Sequence, residues 1–273
     1  MKILRSRSKQ RIAVIIIILL LALVVYLNRT YAHIYNIIGR ADLQSSDQTG
    51  TYLIKANSNL EKMIVTEAGL ANNSASTSLI IYVALGDSLT AGVGTTDYGQ
   101  SYPYLLSRDL AADGGRPVEL YDRSIPGEKS AGIIKDLLPE AVKDKPDMIT
   151  LFIGINDIHG LISAQTFKHN YETILQTLTA KTKAKIYVVN LPYLGAPNLI
   201  RFPYSGLLDW RTQEFNRIIK EQAVQYSINY VDLYTPTLNL FKKSGDLYSA
   251  DSFHPSALGY KLWANIIYAS INK

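Results

Sequence analysis

LIIYVALGDSLTAG, residues 79–92, joins an unbroken apolar run to a glycine-bounded turn that carries an acid and a hydroxyl. A near-continuous hydrophobic stretch of this length suits a parallel strand covered on both faces, whereas a half-exposed strand would alternate. Four more runs share the texture: PVELY at 117–121, DMITLFI at 147–153, AKIYVVNL at 184–191 and INYVDL at 228–233. Helical periods lie between them. Phe167, Tyr171, Ile174, Leu175 and Leu178 recur on one face, and Leu208, Phe215, Ile218, Ile219, Gln222 and Tyr226 mark another. A last helix fits Leu258, Leu262, Ile266 and Ala269, started by Pro255 and Ser256. Strand and helix in alternation predict one three-layer α/β domain over residues 79–273 with a mainly parallel five-stranded sheet. In such sheets ligands sit at the carboxyl ends of the strands, so the residues after each run carry the chemistry.

Upstream the texture is different. Residues 12–27, IAVIIIILLLALVVYL, contain no charge, amide, Gly or Pro. As a helix they span about 24 Å of a bilayer core about 30 Å thick, a shortfall that snorkelling Lys and Arg and interfacial Tyr26 and Tyr31 can cover. A retained membrane anchor competes with a cleaved signal and with a buried core helix. The best cleavage site, Thr30-Tyr31-Ala32, is weak, which favours the anchor over secretion after cleavage. Lys2, Arg5, Arg7, Lys9 and Arg11 precede the run with no acid among them. They form a basic tail over residues 1–11, placed in the cytoplasm by the positive-inside rule, with the remainder outside. Residues 28–78 read as an extracytoplasmic stalk and linker, helical at first through Ile34, Ile37 and Ile38 and ending in NNSASTS at 72–78.

Those five cations account for the whole formal net charge of +5, so everything after them is neutral. A basic end on a neutral body gives no footprint for nucleic acid. With no Cys in the chain, thiol nucleophiles, Cys metal sites and a lipobox anchor are excluded. Composition, 47% hydrophobic and 19% charged, also excludes a disordered or disulfide-stapled chain.

After the first run stands Gly86-Asp87-Ser88-Leu89-Thr90-Ala91-Gly92. Ser88 is a candidate nucleophile, although a free hydroxyl is inert without a base, and taken alone Asp87 and Ser88 also read as caps of a helix. Glycines at 86, 92 and 94 allow positive φ and close approach to a ligand. Of the four His, His33 falls in the stalk, His159 in a loop and His169 on a solvated helix face. His254 stands in Asp251-Ser252-Phe253-His254-Pro255, where a carboxylate can hold Nδ1 and leave Nε2 to take a hydroxyl proton. By itself the pair equally suits a helix cap with a surface His. Asn156, in Gly154-Ile155-Asn156-Asp157, can donate to an oxyanion or form an Asx turn. The Gly127 N–H, in Ile125-Pro126-Gly127-Glu128, can be a second donor or part of a plain Pro-Gly turn. Each signal is weak alone, but all four fall where one cleft would gather them.

Together, GDSLTAG, the turn at Gly127, GIND and DSFHP resemble the four sequence blocks of the SGNH hydrolases, the GDSL lipases and esterases, in the family's order over residues 79–273. The resemblance implies a flavodoxin-like α/β/α fold, Ser88 as nucleophile, His254 as general base and Asp251 as its orienting partner. It further implies an oxyanion hole of the Ser88 N–H, the Gly127 N–H and the Asn156 amide, with no metal and no cofactor. One departure stands out: family members commonly carry an Asn a few residues before the second-block Gly, where this chain reads Tyr121-Asp122-Arg123-Ser124. Ester hydrolysis through an acyl-enzyme is the expected activity, on acyl lipids or lysophospholipids, with a wall-polysaccharide O-acetylesterase, an acyltransferase and a non-catalytic tethered scaffold as alternatives. The apolar segment 193–204 reads as one wall of an acyl pocket or as a packed loop over the sheet edge.

Overall fold

The computed structural model describes residues 2–44, 50–54, 79–193, 199–200 and 204–272. They fall into two units, residues 1–40 and 41–273. The amino-terminal helix α1 runs Lys2–Gln44 without a break. Its apolar stretch Gln10–Ile37, 28 residues, is long and apolar enough to cross a membrane, and none of its most hydrophobic window is buried within the protein. That exposure speaks against the core-helix reading of residues 12–27. Ser and Thr of the NNSASTS segment lie outside the described residues.

In the second unit the expected parallel strands form, and one more joins them. The sheet has six strands in the order β1-β3-β2-β4-β5-β6. Strands β2 (Ile80–Gly86), β3 (Val118–Ser124), β4 (Met148–Phe152), β5 (Lys185–Val189) and β6 (Asn229–Val231) are parallel, as the apolar runs predict. The sixth, β1 (Thr51–Ile54), pairs antiparallel with β3 from Thr51 opposite Tyr121 to Ile54 opposite Val118. It corrects both the count of five and the description of residues 28–78 as stalk alone. Its side chains alternate, Tyr52 and Ile54 buried and Thr51 and Leu53 half-buried, as fits an edge strand. Tyr52 stacks on Tyr98 with ring centroids 4.4 Å apart.

Helices cover both faces. On one, α3 (Tyr102–Gly114) and the carboxyl-terminal helix share an aromatic cluster with β4: Phe152 meets Tyr102 at 5.8 Å and Trp263 at 5.7 Å. On the other, α7 (Ala164–Lys181) packs on α8 (Tyr204–Gln225) through Phe167 stacked on Phe215 at 4.2 Å. Between α3 and α7 in chain order come short helical stretches that include α4 (Ser130–Gly132), α5 (Leu138–Lys143) and α6 (Ile155–His159). Helix α2 is a single turn, Ser88–Ala91, and α9 spans Tyr234–Lys243.

The last helix, α10 (Ala257–Ile271), is capped by Ser256 as predicted but buries a different face. Gly259, Tyr260, Trp263, Ala264 and Ile267 point inward, while Leu258 and Ala269 are exposed. Apolar residues surround most of this helix, so two overlapping stripes compete, and the aromatic one fills the core. The parallel order, with β2 flanked by β3 and β4, reverses direction at β2. That topological switch opens a crevice beyond the carboxyl end of β2, where Ser88 lies.

Candidate active site

Four segments converge on the crevice, and each is shaped by local chemistry. Gly86 ends β2 with no room for a side chain: a Cβ there would come within 2.1 Å of Thr90 Oγ1 and 2.5 Å of the Phe152 carbonyl. Close packing, not positive φ, is what this position requires. The next residue, Asp87, caps α2 by accepting from the Leu89 N–H at 3.0 Å. Capping thus falls to the acid and leaves the Ser88 hydroxyl for another partner.

That partner is His254, whose Nε2 stands 3.0 Å from Ser88 Oγ across 166 residues of chain. Its Nδ1 is 2.6 Å from Asp251 Oδ2. Both Ser88 and His254 are buried, so few waters compete for these contacts. The other Asp251 oxygen accepts from the Phe253 and His254 N–H groups at 2.8 and 2.9 Å and from Ser249 Oγ at 2.7 Å. Burial works to raise the Asp251 pKa, but the bond to His254 and its charge, with the Ser249 and Phe253 donors, hold it down to about 2. A carboxylate fixed by four donors cannot swing away from the imidazole.

The loop carrying this pair is closed at its base. Tyr248 bridges Pro255, and Ser249 N–H donates to the His254 carbonyl at 2.8 Å. Ser252, at φ +59°, turns the chain between them. Gly94, at φ +100°, packs against this loop: a Cβ would meet the Pro255 carbonyl at 2.6 Å and His254 Cβ at 2.9 Å. The glycine expected to approach a ligand instead lets the α2 loop touch the histidine loop. Ser249 escaped the sequence reading, although it lies two residues before Asp251.

Across the crevice, Ile125-Pro126-Gly127-Glu128 forms a turn closed by the Glu128 N–H on the Ile125 carbonyl at 3.0 Å. Gly127 at φ +81° and Pro126 before it fit a type II turn. The Asn156 amide, from the first turn of α6, donates to the Glu128 carbonyl at 3.0 Å and so ties the two loops together. Beneath it, Asp157 accepts from the Ser130 N–H at 2.9 Å and from Ser130 Oγ at 2.5 Å, and Asn170 Nδ2 donates to the same Ser130 hydroxyl. Burial raises the Asp157 pKa against these donors. This clamp was not read from the sequence; the acid following Asn156 was its only trace.

His159, assigned to a loop, is the last residue of α6 and is buried with its ring centroid 5.3 Å from that of Phe253. Being spaced one helical turn from Asn156 swings it under the histidine loop. His169 is exposed on α7 as expected. From the segment 193–204, residues 194–198 and 201–203 lie outside the described residues; Tyr193 and Ile200 are buried.

The sequence profile of the GDSL-like lipase/acylhydrolase family matches residues 84–262. The spore germination lipase LipC of Bacillus licheniformis is 29% identical over 201 residues, covering 66% of this chain and 91% of its own. A GDSL-like esterase of Mycobacterium tuberculosis is 26% identical, covering 68% of this chain and 60% of the relative. Among solved structures, a lipase/acylhydrolase from Enterococcus faecalis superposes with a TM-score of 0.58 at 26% identity over 70% of this chain and 95% of that one. An acetyl xylan esterase superposes with a TM-score of 0.58 at 22% identity, a likeness of fold. The chain therefore belongs to the GDSL-like lipase/acylhydrolase family and is an ester-hydrolysing enzyme.

Proposed function

We propose that this protein is a serine acylhydrolase acting on acyl lipids or lysophospholipids through a Ser88-His254-Asp251 triad. The observation that carries the reading is the continuous hydrogen-bond line from Ser88 Oγ through the His254 ring to Asp251. His254 Nε2 takes the Ser88 proton as Oγ attacks the ester carbonyl, and Asp251 stabilises the imidazolium that forms. The oxyanion of the tetrahedral intermediate is met by the Ser88 and Gly127 N–H groups and by Asn156. An amide has two hydrogens; one holds the Glu128 carbonyl and the second serves the oxyanion. His254 protonates the leaving alcohol, then deprotonates the water that releases the acid and restores Ser88.

Helix α1 supports a single-pass membrane anchor, with the hydrolase unit outside the cytoplasm by the charge of residues 2–11. Lipid esters are then the substrates within reach. Hydrolysis of p-nitrophenyl acetate, butyrate, octanoate and palmitate by the full chain, beside Ser88→Ala, tests the reading. A rate that needs Ser88 and persists to the long esters is expected. Activity on acetate alone would replace the lipid substrate with an O-acetyl one, and an undiminished rate in Ser88→Ala would remove the triad.

A further inference from the structure

Among the described residues, Leu161, Leu207 and Trp210 are the most exposed large apolar side chains on the crevice side of the hydrolase unit. Leu161 is 76% exposed, Leu207 51% and Trp210 58%. Leu161 follows α6, the helix after β4, and holds φ +56°, a conformation a leucine rarely adopts. Leu207 and Trp210, three residues apart on the first turns of α8, share a face of the helix that follows β5. The two elements are joined: Arg211 Nη2 donates to the Ile162 carbonyl at 2.5 Å. All three residues thus lie on the rim formed by the carboxyl ends of the strands, where Ser88 and Asn156 also lie.

The charges around them suit an anionic surface. Lys129 crosses Gly160, where a Cβ would come within 2.6 Å of its Cε, immediately before Leu161. The nearby acids are engaged by partners: Asp209 accepts the Tyr234 hydroxyl at 2.5 Å, Glu214 pairs with Arg211 at 2.7 Å, and Glu128 accepts from the Lys129 N–H at 2.9 Å. An exposed Trp among leucines with a Lys at its edge is the composition that settles at the headgroup level of a bilayer. The same chain carries the helix Gln10–Ile37, 28 residues long and apolar enough to hold it at such a surface.

We propose that Leu161, Leu207 and Trp210 form an interfacial patch that inserts into a lipid surface and presents the Ser88 crevice to it. The inference rests on the acylhydrolase reading for its purpose but not for its measurement. An aqueous enzyme needs no such rim. A hydrolase of bilayer esters gains by it, because the ester then reaches the crevice without leaving the interface.

The chain's two tryptophans make the test direct, since Trp263 is fully buried. Full-length protein is reconstituted into phosphatidylcholine–phosphatidylglycerol vesicles with brominated acyl chains, and tryptophan emission is compared with that in unbrominated vesicles. About half the emission is expected to be quenched, and the loss should vanish in Trp210→Phe. Leu161→Asp with Leu207→Asp should abolish quenching and slow hydrolysis of a vesicle-embedded ester about tenfold, leaving soluble p-nitrophenyl butyrate unchanged. Unquenched, water-like Trp210 emission in vesicle-bound protein overturns the proposal. Emission that shifts with protein-to-lipid ratio but ignores bromine identifies a second copy as the occupant instead. Quenching without any esterase activity would sink the hydrolase reading and leave the patch standing.

Discussion

Asn156 holds the Glu128 carbonyl through its side-chain amide at 3.0 Å, so the loops after β3 and β4 move as one piece. The consequence for Asn156→Ala is twofold. If Asn156 is the oxyanion donor proposed above, its loss should lower kcat about 10²- to 10³-fold. Loss of the tie should lower the melting temperature only slightly, since a hydrogen bond is worth about 1 kcal/mol net. Steady-state kinetics on p-nitrophenyl butyrate beside a thermal melt checks both; a fall in kcat of less than tenfold would leave Asn156 a clip between loops and nothing more.

Asp251→Asn keeps the shape of the side chain and removes its charge. The amide would favour the wrong tautomer of His254, and kcat should drop about 10⁴-fold with the fold intact. Stability provides a second reading. Because the folded Asp251 pKa is depressed to about 2, its contribution is fully present above the ordinary carboxylate range and is lost as pH falls from about 4 towards 2. Urea midpoints across that window should decline more steeply in the native chain than in Asp251→Asn.

Asp122 carries the opposite sign. Burial drives its pKa up to about 7, against the Ser124 and Tyr98 hydroxyls and the Arg123 charge that lower it. Between about pH 4 and pH 7 the unfolded chain has released this proton while the folded chain retains it, so stability falls as pH rises. Asp122→Asn, which keeps the shape of the side chain and removes its charge, should flatten that slope and raise the melting temperature at pH 8 without raising it at pH 4. Equal slopes in the two proteins would show that Asp122 is charged in the fold throughout.

Gly94→Ala should be costly for a residue that touches no substrate. The new methyl group would press on the Pro255 carbonyl and His254 Cβ at a φ unsuited to alanine, a strain of about 1–3 kcal/mol. If the histidine loop yields, His254 leaves Ser88, and a shift of about 1 Å can cost 10²-fold in rate. The expected result is a kcat loss exceeding any change in KM; unchanged kinetics would mean the α2 loop absorbs the methyl.

Strands β2 and β4 were legible because burial on both faces keeps a run of five to seven residues almost wholly apolar. Thr51–Ile54 offers no such run: four residues, alternating, in polar surroundings, with β3 alone to pair with. For α10 the reading went to the aliphatic stripe because periodicity weighs Leu and Ile as heavily as Trp263 and Tyr260, whereas packing rewards the larger rings. At the site, Ser88, Asp251, His254, Gly127 and Asn156, from which the proposed triad and oxyanion hole are built, stood in motifs short enough to read. Ser249, Ser130 and the Glu128 carbonyl did not, since each acts through a partner brought to it only by folding.

The antiparallel strand β1 makes the position of any cut in the chain decide what remains of the sheet. A protease acting before Gly50 would release a hydrolase still wearing its own edge strand, with Tyr52 on Tyr98. One acting after Ile54 would leave that strand with the amino-terminal fragment and bare the backbone of β3, an open template for another chain to pair with. Soluble and aggregating forms of the same enzyme would then differ by a few residues at the amino terminus.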